Sequence, residues 1–71
     1  MKRHTVVQVD FERIRKDAES MVGKSGCKTV EIQNHDTDSF KGWNQFIECP
    51  CGDTVVVIID LNGDIKRVRV K

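Results

Sequence analysis

The feature that most constrains the fold is a hairpin signature in the last third of the chain. Five consecutive β-branched residues, Val55 to Ile59, precede Asn62-Gly63, and the alternating segment Ile65 to Val70 follows. Asn-Gly between two such runs is the strongest short-range sign of a two-residue type I′ turn. The sequence therefore predicts two antiparallel strands, Thr54 to Leu61 and Ile65 to Val70.

A two-residue loop at Asn62-Gly63 also predicts which residues of the two strands lie side by side. Val57 then lies opposite Val68, on a face that Leu61 shares, and we expect this face to be the core. The opposite face of the sheet is called the back face below. On this hairpin it carries a mixture of aliphatic and basic side chains: Val56, Ile58, Arg67, Arg69 and Lys71.

Upstream of the hairpin, the pattern indicates a short strand followed by a helix. Thr5 to Val9 is rich in β-branched residues and alternates, which is typical of a strand. Asp10 is a good N-cap residue, while Gly23 and Gly26 are stop signals, so a helix is expected between them. At about 100° per residue, the apolar side chains of this helix form one stripe that faces the core. These side chains are Phe11, Ile14, Ala18, Met21 and Val22.

Two more strands are predicted between the helix and the hairpin. Lys28 to Gln33 has Val30 and Ile32 as inward-facing residues, and Trp43 to Cys49 follows a polar loop, Asn34 to Gly42. The expected fold class is α+β, with one helix packed on one face of a three- to four-stranded antiparallel sheet. The expected order is β-α-β-β-β, with a meander at the C-terminal end.

Length and composition limit the classes of protein that this chain can represent. We expect residues 1–71 to form a single small domain, because a chain of 71 residues has no room for a second one. A composition of 38% hydrophobic and 32% charged residues is ordinary for a folded protein. Twelve basic against eleven acidic residues disfavour a dedicated nucleic-acid binder. No apolar run approaches the roughly 20 residues of a membrane span, and Gln8 and Asp10 interrupt a signal-peptide core. We therefore expect a cytoplasmic protein without a membrane partner.

The three cysteines form the most conspicuous local pattern. Cys49-Pro50-Cys51 is similar to half of a zinc knuckle, but knuckles place two residues between the thiolates and need a second pair. If Gln33 lies opposite Trp43 across the polar loop, Cys27 lies opposite Cys49 and all three thiols cluster. Three interpretations stay open: a metal site formed by Cys27, Cys49 and Cys51, a redox-active or disulfide-forming pair, and plain buried cysteines. We favour plain cysteines, because permanent disulfides are rare in the cytoplasm, and expect no cofactor.

No motif of the sequence indicates an enzyme. Gly23-Lys24-Ser25 resembles the end of a phosphate-binding loop, but it closes a helix instead of opening one. Asn34, Asp36 and Asp38 have the spacing of calcium ligands, but the glycine and the glutamate that such a loop needs are absent. A domain of this size also has little volume for a substrate pocket. We therefore expect a chain without catalytic residues.

Function is expected on the surface of the sheet. Trp43, Phe46 and Ile47 cannot all face the core, because side chains alternate along a strand, so the back face carries at least one of them. Arginine and aromatic residues are enriched at protein interfaces. We therefore favour a protein-protein interaction module, a regulator, inhibitor or adaptor of the kind that phages and mobile elements encode. The expected docking surface is the back face or an edge strand, with these residues: Trp43, Phe46, Ile58, Arg67, Arg69 and Lys71.

Three alternatives stay open for this surface. A homodimer through it would add buried area to a small domain. A single-stranded DNA- or RNA-binding module would use Arg67, Arg69 and Lys71, which repeat at about 6.8 Å along one strand face, with an aromatic residue stacked on a base. In the third alternative, the first strand or the Asn34 to Gly42 loop folds over the back face. The basic residues of the last strand then serve only to block edge-to-edge pairing with other chains.

Overall fold

The computed structural model describes residues 9–71 and contains one helix and four strands. In chain order these are α1 (Phe11–Val22), β1 (Lys28–Asp36), β2 (Lys41–Glu48), β3 (Thr54–Asp60) and β4 (Ile65–Val70). The strands form one antiparallel sheet in the order β1-β2-β3-β4. The predicted α+β fold, with a helix packed on a C-terminal meander, is confirmed. Residues 5–8 of the predicted first strand lie outside the described residues, and Val9 is not part of a strand.

Helix α1 begins and ends where its capping residues predict. The Asp10 side chain accepts a hydrogen bond from the Arg13 backbone N–H at 3.1 Å, which satisfies one of the free donors of the first turn. Gly23 adopts the left-handed conformation with a φ of 70° and ends the helix. No helix within residues 9–71 is long and apolar enough to cross a membrane.

The helix packs on the sheet through most of its predicted apolar stripe. Ile14 and Ala18 are buried, and Phe11 and Val22 pack against the same core. Met21 is 61% exposed, so its predicted place in the core was wrong, because Val22 takes the inward position of the last turn. The buried core between α1 and the sheet consists of Ile14, Ala18, Cys27, Ile47, Cys49, Val55, Val57 and Ile59.

The β3–β4 hairpin has the predicted strand partners over most of its length. Ile58 lies opposite Arg67, as predicted, and the pairs farther from the turn follow the same register. Toward the turn, a bulge shifts the pairing by one residue, so that Ile59 lies opposite Ile65. The bulge compensates for a loop that is one residue longer than predicted.

The turn of this hairpin is not the type I′ turn that Asn62-Gly63 predicts. A type I′ turn needs a positive φ at both central residues, and within residues 9–71 only glycines have one. The chain turns through three residues instead, since the Gly63 N–H donates to the Asp60 carbonyl and the Asp60 N–H donates to the Asp64 carbonyl, both at 3.0 Å. Leu61 lies in this turn and is 51% exposed, so its predicted places in the strand and in the core were wrong.

Most of the predicted loop from Asn34 to Gly42 belongs to strands. β1 continues to Asp36 and β2 begins at Lys41, which leaves a turn of four residues, 37–40. The Thr37 N–H donates to the Phe40 carbonyl at 2.7 Å and closes this turn. A turn this short does not lie across the back face.

A bulge at Val30 divides β1 into two registers. Near Cys27 the predicted register holds, but beyond Val30 it shifts by one residue, so that Asn34 lies opposite Trp43. Ile32 lies on the helix-covered face, as predicted, opposite Gln45, but Val30 and Ile32 do not join the core, because their side chains are 46% and 40% exposed. Val30 is the unpaired residue of the bulge, and Ile32 lies on an edge strand that α1 leaves largely uncovered.

Candidate functional site

Helix α1 covers one face of the sheet, and no element within residues 9–71 covers the other. On β2, Ile47 belongs to the core beneath α1, whereas Phe46 points to the opposite side. Alternate residues of a strand face opposite sides, and directly paired residues of neighbouring strands face the same side. The strand pairs therefore define the back face residue by residue.

The central part of the back face consists of two rows, each with one residue from every strand. The first row, from β1 to β4, is Glu31, Phe46, Val56 and Arg69. The second row, in the same order, is Gln33, Asn44, Ile58 and Arg67. Each row therefore begins with an acidic or amide side chain and ends with a guanidinium.

The centre of the back face is apolar. Phe46 and Ile58 are half-buried, and Val56 is only 8% exposed although α1 lies on the other side of the sheet. Val56 is flanked in its row by two longer side chains, those of Phe46 and Arg69. An apolar centre with a charged surround is the arrangement found at many protein interfaces.

The edges of the back face carry charged side chains, of both signs on β1, where Lys28 lies opposite Glu48 on the same face as Glu31. Arg67 and Arg69 are exposed on β4, and Glu31 is exposed on β1. None of the three has an ion-pair partner within residues 9–71. The Glu31 carboxylate accepts one hydrogen bond, from the side-chain amide of Gln33 at 2.8 Å. The described part of the chain thus leaves unlike charges unpaired on opposite sides of one apolar surface.

The structure brings most of the predicted partner-binding residues together. Phe46, Ile58, Arg67 and Arg69 lie on the back face. Lys71 extends the same face, because its backbone continues the ladder to Thr54 with hydrogen bonds of 2.7 and 3.2 Å.

Trp43 is the exception among the predicted partner-binding residues. It lies on the face of β2 that α1 covers, and its ring packs edge-on against Phe11 with centroids 5.8 Å apart. This contact joins the first turn of α1 to the sheet. Trp43 therefore holds the helix in place and does not belong to the back face.

Sequence analysis did not identify Glu31 as a residue of this surface. In the predicted register Glu31 would lie opposite Gln45, on the helix-covered face, and the bulge at Val30 moves it opposite Phe46. In the predicted register the apolar residues Val30 and Ile32 lie opposite Phe46 and Asn44, out of phase with Trp43 and Ile47, and this mismatch was the signal that could have indicated the bulge.

The three cysteines lie at one end of the sheet, as the register predicts. Cys27 and Cys49 form a disulfide between the start of β1 and the end of β2. The expectation of plain cysteines was therefore wrong for this pair, and sulfurs bonded to each other are not thiolate ligands. Cys51 is a free, exposed thiol. Within residues 9–71 no three metal-binding side chains come together.

Lys24 connects the end of α1 to the turn that follows β2. Its ammonium donates to the Cys51 sulfur at 3.4 Å and pairs with the Asp53 carboxylate at 2.7 Å. The hydrogen bond from Lys24 lowers the pKa of Asp53 below its ordinary value of 3.8. The same bond, followed by the one to Cys51, raises the pKa of Lys24. These contacts hold the Cys49-Pro50-Cys51 turn against the helix.

Comparison with known proteins adds no functional information, because this chain matches no family model, no curated protein and no solved structure. The function is therefore inferred from the geometry of the chain.

Proposed function

We propose that this chain is a small non-catalytic protein-binding module that docks a protein through the back face of its sheet. The observation that carries the proposal is the apolar centre, Phe46, Val56 and Ile58, which residues 9–71 leave uncovered between two charged edges. A partner that covers this centre removes apolar area from water. The unpaired charges at the rim would orient the partner and select it. Such a module acts as a regulator, inhibitor or adaptor.

A nucleic acid is the second candidate partner, because Arg67, Arg69 and Lys71 align on one face without ion-pair partners among the described residues. Two observations favour a protein instead. Modules that bind single strands stack successive bases on aromatic side chains, whereas Phe46 is the one aromatic residue in the two rows. The other edge carries Glu31 beside Lys28, so it adds no net positive charge to attract a phosphate backbone.

Affinity capture from a lysate of the source cell, with and without nuclease, tests the proposal. The back-face variant carries Arg67→Glu with Arg69→Glu. The matched control carries Arg13→Glu with Lys16→Glu, which makes the same change in charge on the exposed side of α1. Circular dichroism spectra and melting curves of both variants establish that they are folded.

We expect both the wild type and the α1 control to capture one protein in stoichiometric amount, and we expect this protein to stay bound after nuclease treatment. The back-face variant should fail to capture it. Additional copies of the chain itself count as such a protein. Capture that persists in the back-face variant would overturn the proposal, because binding would then lie elsewhere. Loss of all bound material after nuclease would support the nucleic-acid alternative instead.

A further inference from the structure

We infer that the protein partner presents an extended segment of alternating acidic and apolar residues, which pairs with β4 as an additional antiparallel strand. The inference rests on the proposed function, because it names the chemistry of that partner. β4 is an edge strand: β3 pairs with one side of it, and no strand within residues 9–71 pairs with the other. An exposed strand edge can bind an extended peptide through backbone hydrogen bonds.

The hydrogen bonds at the end of the sheet show which backbone groups of β4 point away from β3. The N–H and C=O groups of Lys71 both bond to Thr54, at 2.7 and 3.2 Å, so these residues form a hydrogen-bonded pair of the antiparallel ladder. The direction of the backbone groups alternates along a strand. The N–H and C=O groups of Val68 and Val70 therefore point outward, where no strand of residues 9–71 lies.

The two faces of β4 carry different side chains. Arg67, Arg69 and Lys71 are exposed on the back face, repeat at about 6.8 Å, and have no ion-pair partner within residues 9–71. Val68 and Val70 point to the helix-covered face, and Val70 is 48% exposed. Directly paired residues face the same side of a sheet. An added strand therefore places every second side chain beside a cation and the side chain between them beside a valine.

The backbone geometry brings the side chains beside the arginines especially close. Residues opposite Val68 and Val70 exchange hydrogen bonds with them, so the residues opposite Arg67 and Arg69 are in non-hydrogen-bonded pairs. The Cα atoms of such a pair are only about 4.5 Å apart. Unlike charges in directly opposed positions stabilise a strand pair, and like charges destabilise it. β4 therefore selects acidic residues at these positions.

The same cations exclude a second copy of this chain as the added strand. In an antiparallel β4–β4 pair, the back-face residues of one copy lie opposite the back-face residues of the other. In the register centred on Val68, Arg67 lies directly opposite Arg69 of the second copy. Basic residues block the unselective pairing of an edge strand in this way. They do not block a strand that carries acidic residues at the opposed positions.

A single-stranded nucleic acid matches β4 less completely than an acidic segment does. Its phosphates can pair with the cations. It has no N–H and C=O groups at the spacing of a β-strand, so the outward groups of Val68 and Val70 would not be used. It also has no apolar side chain to cover Val70.

An NMR titration of the isotope-labelled full chain at low salt tests the inference. The probe is a blocked peptide of about seven residues, in which three glutamates alternate with two valines between terminal serines. In the proposed pair the valine nitrogens face β4 and the glutamate nitrogens face away. A peptide N-methylated at both valines therefore cannot pair, whereas a peptide N-methylated at two glutamates is its matched control.

The charge requirement is tested from both sides of the interface. A second peptide replaces the three glutamates with lysines, and the protein variant Arg67→Glu with Arg69→Glu reverses the charge of β4. Arg13→Glu with Lys16→Glu is the matched protein control, because it makes the same change in charge on the exposed side of α1.

We expect the glutamate peptide to bind the wild type and the α1 control with a dissociation constant on the order of 100 µM to 1 mM. The Val68 and Val70 N–H signals should shift most. Methylation of the valines should weaken binding at least about tenfold, and methylation of the glutamates less than about threefold. The lysine peptide should bind the charge-reversed variant at least about tenfold more tightly than the wild type.

Three results would overturn the inference. The first is a glutamate peptide that shifts no signal of β4 at about 1 mM. The second is equal weakening by the two methylated peptides, which would show binding by charge alone, without strand pairing. The third is a single-stranded oligonucleotide of about ten nucleotides that binds β4 more tightly than the glutamate peptide does.

The lysate capture separates these failures from failure of the proposed function. A partner that covers the back face without pairing with β4 would still be captured by the wild type and lost by the back-face variant. The peptides would then fail although the proposed function holds.

Discussion

Reduction of the Cys27–Cys49 disulfide should strongly destabilise the fold without abolishing it. The bond joins residues that are 22 positions apart, and the loop that it closes contains all of β1 and β2. In the loop-closure model, a cross-link over this span lowers the entropy of the unfolded chain by an amount worth about 3 kcal/mol at 25 °C. The free energy of unfolding of the reduced protein should be lower by this amount.

The contacts around Cys27 explain why the reduced chain should keep its fold. The Cys27 N–H donates to the Glu19 carboxylate at 2.9 Å, and the Cys27 carbonyl accepts from the Arg15 guanidinium at 3.1 Å. Arg15 and Glu19 also pair with each other at 2.8 Å. None of these contacts requires the sulfur-sulfur bond, so the expected loss arises mainly in the unfolded state.

Calorimetry with and without a thiol-free reductant measures the effect. A change of 1 kcal/mol moves the Tm of a domain of this size by about 4 to 8 °C, so reduction should lower Tm by roughly 12 to 24 °C. The double variant Cys27→Ala with Cys49→Ala should show a similar decrease. Cys51→Ser is the matched control, because it removes the free, exposed thiol and should shift Tm by less than about 3 °C.

Thiol titration of the unfolded protein decides between two ways in which this reasoning can fail. One reactive thiol before reduction and three afterwards would show that the bond forms. If Tm then hardly changes on reduction, the loop-entropy argument is refuted. Three reactive thiols before reduction would refute the pairing itself and restore the interpretation of plain cysteines.

Three further predictions concern the elements that position the back face. In Gly42→Ala, the added Cβ would lie 1.9 Å from the Ile59 carbonyl oxygen, so β2 and β3 must separate. The free energy of unfolding, measured in urea, should fall by about 2 to 4 kcal/mol. An unchanged urea midpoint would contradict this prediction. Asp10→Ala removes the cap of α1 and should lower stability by about 1 kcal/mol, whereas equal midpoints would show that the cap contributes nothing. The hydrogen bond from the Asp64 backbone N–H lowers the pKa of Asp60 below 3.8. A carboxyl whose pKa is lowered in the folded state stabilises the fold above the unfolded-state pKa, and this contribution is lost as the pH falls through the folded-state pKa. The stability of Asp60→Asn should therefore depend less on pH below about 4 than the stability of the wild type does. Identical acid-unfolding curves would contradict this assignment.

Local chemistry explains why some elements could be predicted to the residue. The ends of α1 follow from the side-chain oxygen of Asp10 and the conformational freedom of Gly23, both of which act within one turn of the helix. The bounds of β4 follow from the alternation of Ile65 to Val70. Each of these signals acts within a few residues of the chain, so no tertiary contact is needed to interpret it.

The turns and bulges could not be predicted in the same way. Asn62-Gly63 favours a two-residue loop, but the chain uses a longer turn in which the Asp60 carboxylate accepts hydrogen bonds from the N–H groups of Asn62 and Asp64, both at 2.9 Å. The predicted register survived because the extra loop residue is offset by the bulge in β4. Such compensation depends on how the whole strand packs, which local sequence patterns do not contain.

The bulge at Val30 links the packing of the core to the character of the back face. In a regular strand Glu31 would lie opposite Gln45, whose side chain is fully buried and already has one unpaired oxygen. In the structure Ile32 holds that position and is 40% exposed, so a carboxylate there would be partly desolvated beside an amide oxygen that already lacks a donor. The bulge leaves Val30 unpaired at the sheet edge and moves Glu31 opposite Phe46. The bulge therefore sets an apolar side chain beside the core at this position and brings Glu31 onto the back face.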